Sequence, residues 1–215
     1  DDNYATLQES VVALLPRKLV ARPGARWNYG GIAMQIAGRM AERASGLVWE
    51  QLWEQKIGKP LGLTDTAWVP VDPRHIPKLS GGARSSLRDY AKFLEMLSNN
   101  GTYRGKRILS PEAVKEMGRD QLNGAAVPKD VFVEAYCGGK HPGIYGLGHW
   151  RESEDARGNV LIESSPGWAG TYPWIDRGRG LYAVLVAHKN QIRLNAMYAG
   201  SALPRLVGKI VDSTR

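Results

Sequence analysis

The chain has little of what would place it in several common classes of protein. Its 215 residues include one cysteine, Cys137, which excludes a disulfide bond within the chain. No apolar run reaches the roughly 20 residues that a membrane-spanning helix requires. The segment Asp1–Tyr4 has neither the basic nor the apolar region of a signal peptide. With 43% hydrophobic residues, the composition predicts a buried core in one large domain or two small ones.

Basic residues are in excess, with 29 Lys and Arg against 21 Asp and Glu and a net charge of +8. The densest clusters, Arg104–Arg107 and Arg177–Arg179, contain glycine and are typical of turn tips. Solvated turns are therefore favoured over a nucleic-acid surface. Cys137, His141 and His149 match no standard zinc spacing, and no glycine pattern completes a nucleotide-binding fingerprint. We predict neither a metal nor a cofactor.

The first half of the chain has the periodicity of helices. A capping box at Thr6–Glu9 predicts a helix that Pro16 ends, and a second helix is predicted from Tyr29 or Gly30 to Gly46. The apolar stripe predicted for this second helix consists of Ile32, Ile36 and Met40.

Further helices are predicted along the same half of the chain. A short one covers residues 47–53, followed by a turn-rich segment, Lys59–Thr66. Another begins after Ser86, and a third begins at Ser110-Pro111, a serine N-cap followed by proline at the first helical position.

The period changes near residue 145. Alternating segments predict strands at residues 145–150, 160–163, 169–175 and 181–187, and a helix follows at 195–211. The apolar face predicted for this last helix consists of Met197, Leu203, Leu206 and Ile210. The order predicts an α+β fold, with a mainly helical lobe at residues 1–140 and, at 141–215, an antiparallel sheet covered by the C-terminal helix.

One segment carries a recognisable motif. Pro23-Gly24, followed by Tyr29-Gly30-Gly31 at a helix start, resembles the tyrosine motif of serine hydrolases related to class C β-lactamases, penicillin-binding carboxypeptidases and esterases. Other stretches follow in the family's order: Lys59–Thr66, Gly81–Phe93, Arg107–Glu112 and Gly146–Gly148. The resemblance implies a β-lactamase-like fold. It also implies that Tyr29 lies beside a nucleophilic serine and handles its proton. From the residues alone, Tyr29 could equally pack beside Trp27.

The resemblance assigns further residues to the site. Ser165–Thr171 occupies the place of the family's Lys-Thr-Gly or His-x-Gly strand. It implies that Gly167 leaves bare backbone for the substrate and that the Trp168 N–H helps to hold the oxyanion. Ser165 stands where the family has a cation, which favours neutral esters, although a Ser-Ser-Pro-Gly sequence is also an ordinary turn.

Two more positions are implied less directly. Gly31 stands where the family has an asparagine, whose amide contacts the substrate, so binding should suffer unless another residue replaces it. His188 ends the last predicted strand, where class C enzymes have a similar Ala-Asn-Lys-Asn stretch, and this implies a role on the substrate side of the site.

The family's nucleophile motif, Ser-x-x-Lys, is absent from the sequence. In that motif one helical turn brings a neutral lysine beside the serine hydroxyl. The nearest match is Ser85 followed by Arg88, whose guanidinium stays protonated and cannot act as a base. In the family this motif lies upstream of the tyrosine segment. Four explanations stay open: a proteolytic fragment, a truncated chain, a separate N-terminal chain, or a complete protein without activity.

The resulting prediction is part of a serine hydrolase that forms an acyl-enzyme with small-molecule ester or amide substrates, including β-lactams or peptides. Its nucleophile comes from outside this chain, on a separate N-terminal chain or segment. The alternative is an inactive β-lactamase-fold protein that binds or scaffolds. The resemblance alone implies a periplasmic or secreted location. A chain that lacks the nucleophile segment is expected to expose an apolar patch or an open strand edge.

Overall fold

A computed structural model describes residues 4–70, 72–129, 133, 143–167, 169–187 and 193–214, with the backbone alone for residues 193–199. In chain order the elements are α1 (Leu7–Val12), α2 (Gly31–Ser45), α3 (Trp49–Trp53), α4 (Lys59–Leu61), β1 (Ala67–Trp68), β2 (Ala83–Arg84), α5 (Leu87–Ser98), β3 (Thr102–Tyr103), β4 (Lys106–Arg107), α6 (Pro111–Gly118), β5 (Trp150–Glu154), β6 (Val160–Ser164), β7 (Tyr172–Asp176), β8 (Leu181–Leu185) and α7 (Arg193–Ser213). These helices and antiparallel strands confirm the predicted α+β class.

The chain divides into two compact units. The first comprises Asp1–Arg22 and Asn28–Tyr90, and the second comprises Pro23–Trp27 and Ala91–Arg215. The lobes predicted from the sequence, 1–140 and 141–215, rest on secondary-structure type rather than on contacts, so they stay a prediction.

The helix starts predicted from capping residues are confirmed. The Glu9 N–H donates to the Thr6 hydroxyl (3.1 Å) at the start of α1, and the Ala113 N–H donates to the Ser110 hydroxyl (3.1 Å) at the start of α6. The predicted end of α1 at Pro16 was wrong. The α-helix stops at Val12, because the backbone then changes to bonds between residues three apart, such as Leu15 N–H to Val12 carbonyl (3.1 Å).

Helix α2 buries a different face from the one predicted. Ile36 and Met40, two residues of the predicted apolar stripe, are 37% and 67% exposed. Ile32, the third, is exposed as well. The buried residues are Gln35, Gly38 and Glu42. The sequence pattern failed here because the contacts of α2 with α1, α3 and the turn at Leu79 are polar or very close. Gln35 and Glu42 serve as hydrogen-bond acceptors, and Gly38 leaves room for neighbouring leucine side chains.

The segment after α3 also differs from the prediction. A π-helical turn, Glu54–Gly58, joins α3 to α4, so Lys59–Leu61 is helical rather than part of a turn. The helix ends at Gly62, whose φ of 62° lies in the left-handed region that glycine tolerates best.

The second unit contains a four-stranded antiparallel sheet in the order β5-β6-β7-β8. The strand predicted at residues 145–150 was wrong. Tyr145 pairs with Trp150 only in an isolated bridge, because Gly148 between them has a φ of 84° and turns the chain back. The strand begins at Trp150 instead and ends at Glu154.

An aromatic core lies on one face of this sheet. Its buried members are Leu122, Val133, Ile144, Trp150, Tyr172 and Trp174. Helix α7 contacts β7. The apolar face predicted for α7 was wrong in part, because Leu206 and Ile210 are 53% and 64% exposed while Gly200, Pro204 and Gly208 are buried. Leu203 is half-buried against the core, and the Met197 side chain lies outside the described residues.

The two edges of the sheet differ. The outer strand β5 pairs with β6 through register shifts and carries charged residues, both of which protect an edge from further pairing. Strand β8 pairs with β7 in regular register and with no other strand among the described residues. Its sequence, Leu-Tyr-Ala-Val-Leu, contains no charge and no proline. The open strand edge expected from the sequence is therefore present in the described part of the chain. Within that part, no helix is both long and apolar enough to cross a membrane.

Candidate functional site

The first group of candidate residues surrounds the start of α2. Tyr29 is 44% exposed and directly precedes Gly30, the residue that caps the helix without a side-chain hydrogen bond. Gly31 opens the helix. Two residues before Tyr29, Trp27 packs its ring against those of Tyr145 and Trp150, with centroids 5.5 and 5.7 Å away. Trp27, between the Pro-Gly and the tyrosine of the motif, thus belongs to the second unit and anchors the chain there.

A tight turn lies against Gly31 within the same unit. The N–H groups of Gly81 and Gly82 both donate to the Lys78 carbonyl, at 3.1 and 2.6 Å. A Cβ atom on Gly82 would lie 2.7 Å from that carbonyl oxygen, so the turn needs glycine there. The turn places the Ser80 hydroxyl 2.6 Å from the position that a Cβ on Gly31 would occupy. Sequence reasoning missed Ser80 and Lys78, because nothing local indicates that this turn meets the start of α2.

The second group lies after β6. The Ser165 hydroxyl donates to the Gly148 carbonyl (3.3 Å), and the Ser165 N–H donates to the Pro173 carbonyl (3.2 Å). The Gly167 N–H donates to the Thr171 carbonyl (2.7 Å). A Cβ on Gly167 would meet Thr171 only at ordinary contact distances, the nearest being 3.5 Å. Packing within the protein therefore does not require glycine at this position. Trp168 and His188 lie outside the described residues.

A buried ionic cluster centres on Glu163, which lies in β6 two residues before Ser165. It lies on the opposite face of the sheet from the aromatic core. Glu163 is 3.0 Å from His149 Nε2 through one carboxylate oxygen and 2.5 Å from Arg177 through the other. Burial alone would raise the pKa of Glu163, but the neighbouring His149 and Arg177 outweigh it and lower the pKa. No local pattern predicts this cluster, since its three members come from separate segments.

A second buried carboxylate, Glu152, sits where the β5–β6 register shifts. The Tyr172 hydroxyl donates to it. Burial raises the pKa of Glu152 to about 7, against the opposing effects of hydrogen bonds from Ser164 and Tyr172 and of the Arg205 charge on α7. Glu152 and Glu163, on neighbouring strands, thus have their pKa values displaced in opposite directions, because Glu163 has both Arg177 and His149 at ion-pair distance.

Several residues of the recognised stretches hold the chain together. The buried Asp89 carboxylate accepts from the Asp65 N–H (2.7 Å) and the Thr66 hydroxyl (3.1 Å), which fastens the turn before β1 to α5. Arg107 donates to the Asn100 carbonyl (2.7 Å) across the β3–β4 hairpin. These motif positions therefore have structural roles in this chain.

The Beta-lactamase family model matches residues 1–200 of the 215. The chain belongs to the β-lactamase family. The membership in the serine-hydrolase superfamily predicted from the tyrosine motif is confirmed. The predicted β-lactamase-like fold is confirmed as well. Tyr29 and Gly31 lie in its first unit, and Ser165 and Gly167 in its second. That these residues serve one site stays a prediction.

The chain is similar to three proteins whose identity and coverage can be compared. The crystal structure of a candidate β-lactamase from Bacteroides dorei is 43% identical, with a TM-score of 0.89, and the match covers 98% of this chain and 66% of that one. Lovastatin esterase from Penicillium rubens is 27% identical over 208 residues, covering 76% of this chain and 50% of the esterase. Protein Rv1367c from Mycobacterium tuberculosis is 27% identical over 193 residues, covering 76% of this chain and 47% of that protein. The β-lactamase-family chain thus spans about half the length of these two curated relatives.

Proposed function

We propose that this chain forms part of a serine hydrolase that acts through an acyl-enzyme, with its nucleophile on polypeptide outside these 215 residues. The observation that carries the proposal is the exposed Tyr29 at the start of α2, within the Pro-Gly and Tyr motif of a chain that belongs to the β-lactamase family. The absence of Ser-x-x-Lys from the sequence requires the serine to come from elsewhere.

In the proposed reaction the serine oxygen bonds to the carbonyl carbon of the substrate while its proton passes to the Tyr29 phenolate. The negative charge that develops on the carbonyl oxygen is held in part by the Trp168 N–H. Collapse of this intermediate breaks the bond to the leaving group, which receives the proton from Tyr29 as an alcohol or amine. Water then hydrolyses the acyl-serine by the same sequence in reverse, so no cofactor is needed.

Neutral esters are the substrate class that we propose. Ser165 offers a hydroxyl where the family has Lys or His, and a hydroxyl attracts a substrate carboxylate less strongly than a cation does. That hydroxyl already donates to the Gly148 carbonyl, so it remains an acceptor for a substrate group. The similarity to lovastatin esterase supports the same class.

The test uses the full gene product with a fluorophosphonate probe and with a penicillin. We expect one acylated serine, located by peptide mapping outside residues 1–215. Tyr29→Phe should lower the rate of acylation by about 100-fold, since general acid–base groups contribute roughly that much or more. Tyr4→Phe is the matched control and should react at the normal rate. No acylated serine, or one within these 215 residues, would contradict the proposal.

The second candidate is a binding or scaffolding protein that keeps the fold without the chemistry. Gly31 and Ser165, which replace two polar family residues, favour it. The coding sequence upstream of Asp1 discriminates between the two candidates, because a Ser-x-x-Lys motif there supports the enzyme. A periplasmic or secreted location stays a prediction.

A further inference from the structure

The turn Lys78–Gly82 is held against α2 by contacts that leave little freedom to its tip. The Leu79 N–H donates to the buried Gln35 Oε1 at 2.7 Å. The Leu79 side chain is buried over Gly38, where any Cβ atom would overlap its Cδ1. The hydrogen bond fixes the backbone of Leu79 and the second contact buries its side chain, so the adjacent Ser80 is held at a defined place.

That place is the space beside Gly31. A Cβ atom on Gly31 would be 2.6 Å from Ser80 Oγ and 3.2 Å from Ser80 Cβ, and the Lys78 Cε lies 4.0 Å from the same point. Real Cβ atoms essentially never approach a neighbour to 2.6 Å. A side chain on residue 31 therefore excludes the Ser80 hydroxyl from its present position and requires a small shift of Ser80 Cβ.

Ser80 places a polar group beside residue 31, where the family has the asparagine side chain. An asparagine amide both donates and accepts hydrogen bonds, and so does a serine hydroxyl. Ser80 is exposed, and its hydroxyl makes no hydrogen bond to any residue that the structure describes. We propose that Ser80 is a substrate-binding residue, which supplies from the 78–82 turn the polar contact beside Tyr29 that Gly31 lacks. The inference rests on the proposed function, because it assigns Ser80 to the same ester-hydrolysing site.

The test is a double-mutant cycle between positions 31 and 80 in the full gene product, with a neutral p-nitrophenyl ester as substrate. Ser80→Ala should lower kcat/KM about tenfold, as expected for one lost hydrogen bond, with an unchanged melting temperature. Gly31→Asn alone should lower both kcat/KM and the melting temperature, because its Cβ displaces Ser80. Combining it with Ser80→Gly should restore both, since the amide then occupies the vacated space. Ser45→Ala, at the other end of α2, is the control and should keep the normal kcat/KM.

Three results would overturn the inference. One is a normal kcat/KM for Ser80→Ala, and another is a double variant that recovers no more activity than Gly31→Asn. The third is labelling of Ser80 itself by the fluorophosphonate, which would make it a nucleophile and would also contradict the proposed function. In the first two cases a serine outside residues 1–215 can still be acylated, so the inference can fail while the proposed function stands.

Discussion

Helices α2 and α7 belong to different units and solve the same packing problem with different residues. Each leaves some of its bulky apolar residues exposed and fully buries small or polar ones, while Leu203 and Val207 of α7 also pack, half-buried, against the aromatic core. In α2 the contact is polar: Gln35 accepts from the Leu79 N–H, and Glu42 Oε1 accepts from the Trp49 N–H at 2.9 Å. In α7 the buried positions include two glycines and a proline, which let the helix lie close to a sheet.

The difference follows from what each helix packs against. The Leu79 N–H lies in a turn and the Trp49 N–H in the first turn of α3, so neither has an acceptor within a strand ladder or its own helix. Leaving such a group buried without an acceptor costs roughly 1–3 kcal/mol. The strand beneath α7 has its backbone groups paired within the sheet and presents instead the large ring of Tyr172. Unpaired N–H groups therefore select polar side chains on α2, and the Tyr172 ring selects glycine where α7 approaches it most closely.

The strongest test of this comparison is Gly200→Ala in α7. The new Cβ atom would lie 2.7 Å from Tyr172 Cγ and 2.8 Å from Cε2. The ring cannot move aside, because it is buried in the aromatic core and its hydroxyl is bonded to Glu152. We expect a loss of about 3 kcal/mol in the free energy of unfolding, measured in urea. Lys209→Ala, on the exposed side of α7, should change it by less than about 0.5 kcal/mol. Equal effects of the two substitutions would refute the close packing of α7.

The second test concerns Glu152, the carboxylate that accepts a hydrogen bond from the Tyr172 hydroxyl. The pKa of Glu152 is raised from its ordinary value of 4.5 to about 7, chiefly by burial. The folded protein therefore binds a proton that the unfolded chain releases between these two values. Its contribution to stability is complete below about pH 4.5 and is lost as the pH rises through about 7. Wild-type protein should lose about 2 kcal/mol between pH 5 and pH 8, whereas Glu152→Gln, which cannot ionise, should lose much less.

The measurement is urea unfolding followed by tryptophan fluorescence, because Trp150 and Trp174 lie in the core of the same unit. Glu163 does not interfere in this range, since its lowered pKa means that its contribution is lost only as the pH falls through more acidic values. An unchanged pH dependence in Glu152→Gln would show that another group titrates in this window.

Local sequence signals predicted the elements well and their contacts poorly. Gly46 and Ser110 act within one helical turn, so the end of α2 and the start of α6 could be predicted from neighbouring residues. The buried face of α2 could not, because it depends on Leu79, which is distant in sequence. The strand predicted at 145–150 failed at a single residue, Gly148, whose positive φ redirects an otherwise alternating stretch.

In the candidate site, too, residues in a contiguous motif could be predicted and residues brought together by folding could not. Tyr29 and Gly31 were found from their motif, which is contiguous in sequence. Ser80 was missed, because its relation to Gly31 exists only once Leu79 has docked on Gly38. The pairing of Glu163 with His149 and Arg177 likewise needs the strands to be in register before the three side chains meet.

The mildest test returns to α2. In Gly38→Ala the new Cβ would overlap Leu79 Cδ1, and it would lie 3.3 Å from Leu7 Cδ1. Both atoms are the ends of flexible leucine side chains, which can rotate away, and alanine also favours the helix by about 1 kcal/mol over glycine. We therefore expect a net loss of about 1 kcal/mol, clearly smaller than for Gly200→Ala, measured by the same urea unfolding. A loss as large as that of Gly200→Ala would mean that Leu79 is as rigidly held as the Tyr172 ring. The two helices would then differ in the chemistry of their contacts but not in how far their neighbours can yield.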